Sequence, residues 1–170
     1  DLAAAEACGA DGVHFPGRLW MRWGSCPEAP QSVACVRRRL SGGFISLAVH
    51  SPEEACRAAA AGGDMLVLGT IFATASHPSP DHVVGGPAVC KAVAEALGDG
   101  GGARRPWLIG VGGISARNAD EVVRAGADGC AVIRAVWQAC DAAAACKELR
   151  EAMARGVASK DSGQASGAGQ

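Results

Sequence analysis

Tyrosine is absent, and four tryptophans and three phenylalanines are the only aromatics in 170 residues. That is too few aromatic faces for a platform that stacks nucleic-acid bases. An excess of basic charge is also missing: 16 Lys and Arg stand against 17 Asp and Glu, for a net charge of -1. Nothing electrostatic therefore draws the chain to nucleic acid or to an anionic membrane. No apolar run approaches the roughly 20 residues needed to cross a bilayer. The N-terminus lacks a basic stretch leading into an apolar one, so neither a membrane span nor a signal peptide is expected. No Gly-x-Gly-x-x-Gly follows the first strand-like run, which removes the usual fingerprint of a doubly wound dinucleotide-binding sheet. Eight cysteines are present without a single Cys-x-x-Cys pair. Several of them sit in apolar helical patterns, where a thiol behaves as a small hydrophobe. Reduced, buried thiols in a reducing compartment are the expectation, with a disulfide framework or a zinc site as alternatives.

What is present is one domain's worth of alternating elements. A helical pattern over residues 2–8 leads into strand-like runs at 13–15, 44–49, 65–68, 107–111 and 130–133. Helical segments are expected at 31–40, 52–61, 88–97, 116–125 and 136–154. Ser51, Pro52 and Glu54 have the spacing of an N-cap, first helical residue and capping-box acid. Arg37, Arg38 and Arg39 close their helix with charge that complements its dipole. Residues 18–30 are broken by Gly24, Pro27 and Pro30, so they read as a loop. Its Trp20 and Trp23 either cover an edge of the core or form an exposed patch for a partner. The stretch 156–170, rich in Gly, Ser, Ala and Gln towards its end, is expected to be a disordered polar tail.

Repeated strand and helix alternation with nearly continuous apolar strands predicts a parallel sheet covered by helices. Gly-Ala-Asp-Gly occurs at residues 9–12 and again at 126–129, with the variant Gly62-Gly63-Asp64 between them. This recurrence at helix-to-strand turns suggests repeated (β/α) units of a barrel, whose functional residues gather at the C-terminal strand ends. An open doubly wound sheet is the rival architecture.

Two strand ends stand out. The run at 107–111 finishes in Gly112-Gly113-Ile114-Ser115. Glycines there let backbone amides approach a ligand, and Ser115 is placed to cap the next helix. The run at 130–133 ends at Arg134. Together they suggest a phosphate site. The long loop from Thr70 to Gly86 carries Thr74, Ser76 and His77, and polar loops on a rigid scaffold commonly hold sites.

The segments Gly9-Ala10-Asp11-Gly12-Val13-His14, Ala48-Val49-His50-Ser51, Leu68-Gly69-Thr70-Ile71-Phe72, Ile109-Gly110-Val111-Gly112-Gly113 and Ala125-Gly126-Ala127-Asp128-Gly129 occur in a telling order. In that order the chain resembles the thiamine phosphate synthases and their relatives, the TenI-like thiazole tautomerases, from Asp1 to Ala154. The resemblance implies a TIM-barrel (β/α)8 fold that is incomplete here. Residues 1–155 would be its C-terminal portion, strands four to eight with their helices, and the first three strands would be absent. An additional N-terminal segment or a protein partner would then cover the open edge.

For function, the resemblance implies a small phosphorylated ligand of thiazole type. Synthases join a hydroxymethylpyrimidine pyrophosphate to a thiazole phosphate and release pyrophosphate; tautomerases aromatise a thiazole carboxylate phosphate. Gly112 and Gly113 with Ile133, Arg134 and Ala135 would form the phosphate cradle. Arg134 replaces a usual small hydroxyl residue; it can fork onto phosphate, fill the cradle or pair with a carboxylate. Catalytic candidates are His77, where synthases carry a lysine, and His50. His14, Thr74, Ser76 and Gly86 are further ligand-binding candidates.

Asp1 aligns with a magnesium-binding aspartate, and Mg2+ would serve only a synthase-like reaction. Other matched positions depart from the family. Arg18 and Leu19 stand where a second metal aspartate belongs, Ala48 where synthases place a serine, and Thr70 where tautomerases place a basic histidine. Two functional readings follow: an enzyme of thiamine or thiazole phosphate metabolism, or a catalytically degenerate barrel serving as a binding or structural subunit of a larger assembly. Other barrels acting on sugar or indole phosphates form a smaller third class. The resemblance, with an Ala- and Gly-rich composition, makes a plastid one candidate compartment.

Overall fold

The computed structural model describes residues 2–23, 32–40, 42–75, 83–98 and 104–165. Asp1, Ser76 and His77 lie outside these described residues. The element order is α1 (Leu2–Ala7), β1 (Gly12–Phe15), α2 (Gly17–Trp23), α3 (Val33–Arg39), β2 (Phe44–Val49), α4 (Pro52–Ala60) and β3 (Met65–Gly69). It continues with α5 (Pro87–Leu97), β4 (Trp107–Val111), α6 (Ala119–Arg124), β5 (Gly129–Ala131), α7 (Arg134–Trp137) and α8 (Ala142–Ala165).

All five strands join one parallel sheet in the order β1-β2-β3-β4-β5. Strand order follows chain order without reversal. A doubly wound sheet requires such a reversal at its switch point, so the sheet is an arc of a barrel. Burial alternates between two faces most clearly in β3 and β4. Ile45, Leu47, Val49, Leu66, Leu68 and Leu108 are fully buried and pack with Val36, Ala55, Ala58, Cys90, Val93 and Val122 of the covering helices. On the other face Phe44 and Trp107 remain 45% and 49% exposed.

The recurring Gly-x-Asp phrase has a physical explanation. Its glycines, Gly9, Gly62 and Gly126, all take positive φ at helix ends, a left-handed conformation that glycine adopts without a Cβ penalty. The aspartate then stitches the incoming strand to the previous one. Asp64 donates its amide to the Ile45 carbonyl, and its Oδ2 accepts the Ile45 amide at 2.8 Å and Arg37 at 2.9 Å. Asp128 repeats this with Leu108, whose amide lies 2.7 Å from Oδ2, while Arg105 binds Oδ1 at 2.6 Å.

Several expectations require correction. Residues 17–23 form a helix, because the breakers Gly24, Pro27 and Pro30 all lie beyond its end. Trp20 is only 3% exposed and donates its indole N–H to the Ala48 carbonyl at 2.6 Å, so it covers the core and is no partner patch. Ser115 does not cap the next helix. Asn118 holds the N-cap position without a side-chain capping bond, and α6 begins at Ala119, while Ser115 Oγ accepts the Arg117 amide. The last strand stops at Ala131 rather than residue 133.

What reads as one terminal helix is two, separated where Asp141 accepts the Ala144 amide at 3.0 Å and starts α8 afresh. That helix runs to Ala165, well into the stretch expected to be disordered. Adding residues to an existing helix avoids the nucleation cost, so alanine- and lysine-bearing sequence continues it. The cysteines are less buried than expected: Cys90 is buried, but Cys8, Cys56, Cys140 and Cys146 are exposed free thiols. Placing these four on outer surfaces costs little, since each contributes only a small apolar group.

Candidate functional site

The ends of β4 and β5 and the segment following β3 enclose a cavity of about 520 Å³. Thr74, Gly112, Gly113, Ile133, Arg134 and Ala135, all candidates from the sequence, line it together. Its walls follow from local bonding. After β3 the chain stays beside β4: Ile71 donates to the Val111 carbonyl at 2.9 Å and Phe72 to Gly112 at 3.1 Å. This close course leaves no room for side chains opposite. A Cβ on Gly112 would stand 2.3 Å from Thr70 Cγ2, and one on Gly113 would stand 2.6 Å from the Ala73 carbonyl oxygen. Both glycines also have positive φ, 97° and 63°. Packing alone thus demands them, whatever ligand the cavity takes.

Asn118 braces the glycine turn from beneath. Its Oδ1 accepts the Ser115 amide at 2.8 Å and its Nδ2 donates to the Gly113 carbonyl at 3.2 Å. Across the cavity, α7 begins at Arg134 with no side-chain cap on its first turn. Backbone amides at the start of a helix can serve an anion there. The Arg134 guanidinium reaches over the cavity and donates to Thr74 Oγ1. Of the three roles open to it, pairing with a carboxylate is not seen among the described residues. Among the described residues its charge therefore has no carboxylate partner, and it keeps donors to spare.

The histidines lie elsewhere. His50, at the end of β2, bonds Glu54 through both its amide at 2.8 Å and its Nδ1 at 3.0 Å, while Ser51 Oγ accepts the Glu54 amide. This is the expected helix cap with the imidazole added to it, and His50 does not line the cavity. His14 Nδ1 lies 2.9 Å from the buried Ser46 Oγ on the neighbouring strand. Loss of water around the ring lowers its pKa from the ordinary value. Gly86 is the N-cap of α5 with φ of 67° and stands outside the cavity.

Magnesium finds no oxygen cluster among the described residues, where no three His, Cys, Asp or Glu side chains come together. Positions 18 and 19 remain a cation and an aliphatic side chain. Gln138, which lines the cavity, went unrecognised in the sequence. Its spacing of four from Arg134 was the available signal, hidden because Arg134 reads as the end of a strand and the helix as starting at Val136.

Similar proteins bear on this arrangement. The sequence profile described as thiamine monophosphate synthase matches residues 1–136. A thiamine-phosphate synthase of Haloarcula marismortui is 40% identical over 157 residues, covering 89% of this chain and 65% of the relative. One from Thermus thermophilus is 35% identical over 151 residues, covering 89% and 63%. The solved thiamine phosphate pyrophosphorylase of Pyrococcus furiosus superposes with a TM-score of 0.68 at 29% identity, over 92% of this chain and 65% of that one. The chain thus spans just under two thirds of these relatives. Five parallel strands in chain order, a cavity at the ends of the last two and the matched profile agree: the chain belongs to the thiamine monophosphate synthase family.

Proposed function

We propose that the cavity between β4 and β5 binds the phosphate of a thiazole-type ligand, and that the chain acts in thiamine phosphate formation as the C-terminal portion of a (β/α)8 barrel, β1 to β5 serving as strands four to eight. The observation carrying this reading is Arg134, which lines the cavity and whose guanidinium donates to Thr74 Oγ1 without a carboxylate partner among the described residues. Held by Thr74 Oγ1, it keeps further N–H donors for a phosphate, as a charged fork suits. Amides at the start of α7 would supply the other side of the cradle. Thr74 lies just before Ser76 and His77 in sequence, and His77 stands at the position where synthases carry a pyrophosphate-binding lysine.

A second reading, a barrel that binds ligand without turnover, is favoured by Arg18, Leu19, Ala48 and Thr70 at positions where chemistry is expected. Calorimetric titration with thiazole phosphate tests the binding claim. Micromolar binding that weakens about tenfold to a hundredfold in Arg134→Ala, in line with a lost charged hydrogen bond of about 1.5–3 kcal/mol, supports it. Equal affinity in the variant refutes it. Formation of thiamine phosphate from the two substrates then separates synthase from non-catalytic binder.

A further inference from the structure

Gln138 lines the cavity at the ends of β4 and β5 together with Arg134 and Thr74. Its backbone amide donates to the Arg134 carbonyl at 3.0 Å, so the two residues stand one helical turn apart on the same side of α7. Thr74 Oγ1 is taken by Arg134, and Ser115 Oγ by the Arg117 amide. The Gln138 carboxamide bonds to no described residue.

Elsewhere in this chain a base followed four residues later by an acid closes an ion pair: His50 with Glu54 at 3.0 Å, Lys91 with Glu95 at 3.8 Å and Lys147 with Glu151 at 3.9 Å. Position 138 stands in that relation to Arg134, yet it holds the neutral isostere of glutamate. A carboxylate there would compete for the guanidinium with any anion entering the cavity. An amide leaves that charge available and sets an N–H donor beside it. No acidic side chain stands among the described lining residues, so an entering anion meets no like charge from them.

We infer that Gln138 is a binding residue that sets the cavity's selectivity for a phosphate ester, its Nε2 donating to a phosphoryl oxygen beside those held by Arg134. The inference rests on the phosphate reading given above and assigns that site a further side-chain donor. A phosphate monoester presents more terminal oxygens than one guanidinium fork engages, and a neutral amide serves the remainder without adding charge. The apolar lining, Val111, Ile114 and Ala131 among it, is left to the rest of the ligand.

Calorimetric titration of the 170-residue chain with thiazole phosphate compares wild type with Gln138→Met, Gln138→Glu and Arg134→Ala. Gln138→Met keeps the length of the side chain and loses its donor, so affinity should fall about tenfold. Gln138→Glu should weaken binding about a hundredfold or more, because its carboxylate both occupies Arg134 and repels the ligand. Neither substitution should lower the Tm of the unliganded chain, which separates loss of a donor from loss of the fold. The side-chain amide resonance of Gln138, assigned by its disappearance in Gln138→Met, should shift on adding inorganic phosphate as well as thiazole phosphate. Wild-type affinity in either Gln138 variant, with Arg134→Ala still weakened, would overturn this inference and leave the Arg134 reading standing. A resonance that moves with thiazole phosphate alone would also overturn it, since the amide would then contact the ring. Affinity unchanged in Arg134→Ala, or no binding by the wild-type chain, would overturn both readings.

Discussion

Replacing Gly112 by alanine separates two reasons for a glycine at a strand end. If packing sets the requirement, the cost is fixed by the apoprotein. Gly112 has φ of 97°, and a left-handed backbone costs an L-residue about 1–2 kcal/mol. The new Cβ would also meet Thr70 Cγ2 at 2.3 Å and Thr70 Cα at 2.9 Å. Because the second of these atoms is backbone, relief requires the segment after β3 to shift, an overpacking cost of about 1–3 kcal/mol. The expected destabilisation is therefore about 2–5 kcal/mol, or roughly 4–20 °C in Tm for a chain of this size. Gly62 supplies the control, with φ of 92° and nothing within 4 Å of its would-be Cβ. Gly62→Ala should show only the backbone cost, about 1–2 kcal/mol. Urea unfolding of both variants, with unchanged m-values, measures the difference. Equal losses in the two variants would refute the crowding argument. A Gly112→Ala protein as stable as wild type that no longer binds phosphate would assign the glycine to the ligand instead.

Three further outcomes are expected. Trp20→Phe keeps most of the buried area but removes the donor to the Ala48 carbonyl, and should cost about 1 kcal/mol in chemical denaturation. His14 has a folded-state pKa below its unfolded value of 6.5, so the unfolded chain binds its proton more readily. Stability is accordingly unaffected by this group above that pH and falls as the pH drops through 6.5 towards the folded value. His14→Gln should flatten that part of the pH–stability curve, and an unchanged slope would contradict the assignment. Site-resolved alkylation should mark Cys8, Cys56, Cys140 and Cys146 rapidly in the native protein. Cys90, whose thiol burial pushes up to about 12, should react only on unfolding.

Strand positions were legible because they rest on a local signal. Apolar runs of three to six residues bounded by Gly, Asp and Ser reveal themselves without knowledge of their neighbours. The cap at Ser51 was legible for the same reason, since its partners lie within three residues. Errors arose where the deciding contact is distant in sequence. Trp20 is fixed by Ala48, and without that bond a helix followed by Gly24 and two prolines looks like a loop. The break before α8 depends on Asp141, whose capping role is overshadowed by helical residues on both sides. Cradle residues were recognised as a set, yet Gln138 escaped because it enters the cavity only once α7 stops after a single turn.

The glycines and aspartates of this chain show why a motif's recurrence is easier to read than its cause. Glycine at positions 112 and 113 suits a phosphate, but it also suits a neighbouring backbone, and a sequence records only that no Cβ is tolerated. The Asp64 and Asp128 carboxylates look like surface charges at turns until the amides of Ile45 and Leu108 are seen opposite them. A parallel strand needs such an acceptor at its start, because its first amides would otherwise enter the sheet unpaired. At Asp64 and Asp128 the carboxylate meets that need, which gives the repeated phrase a structural reason independent of any ligand.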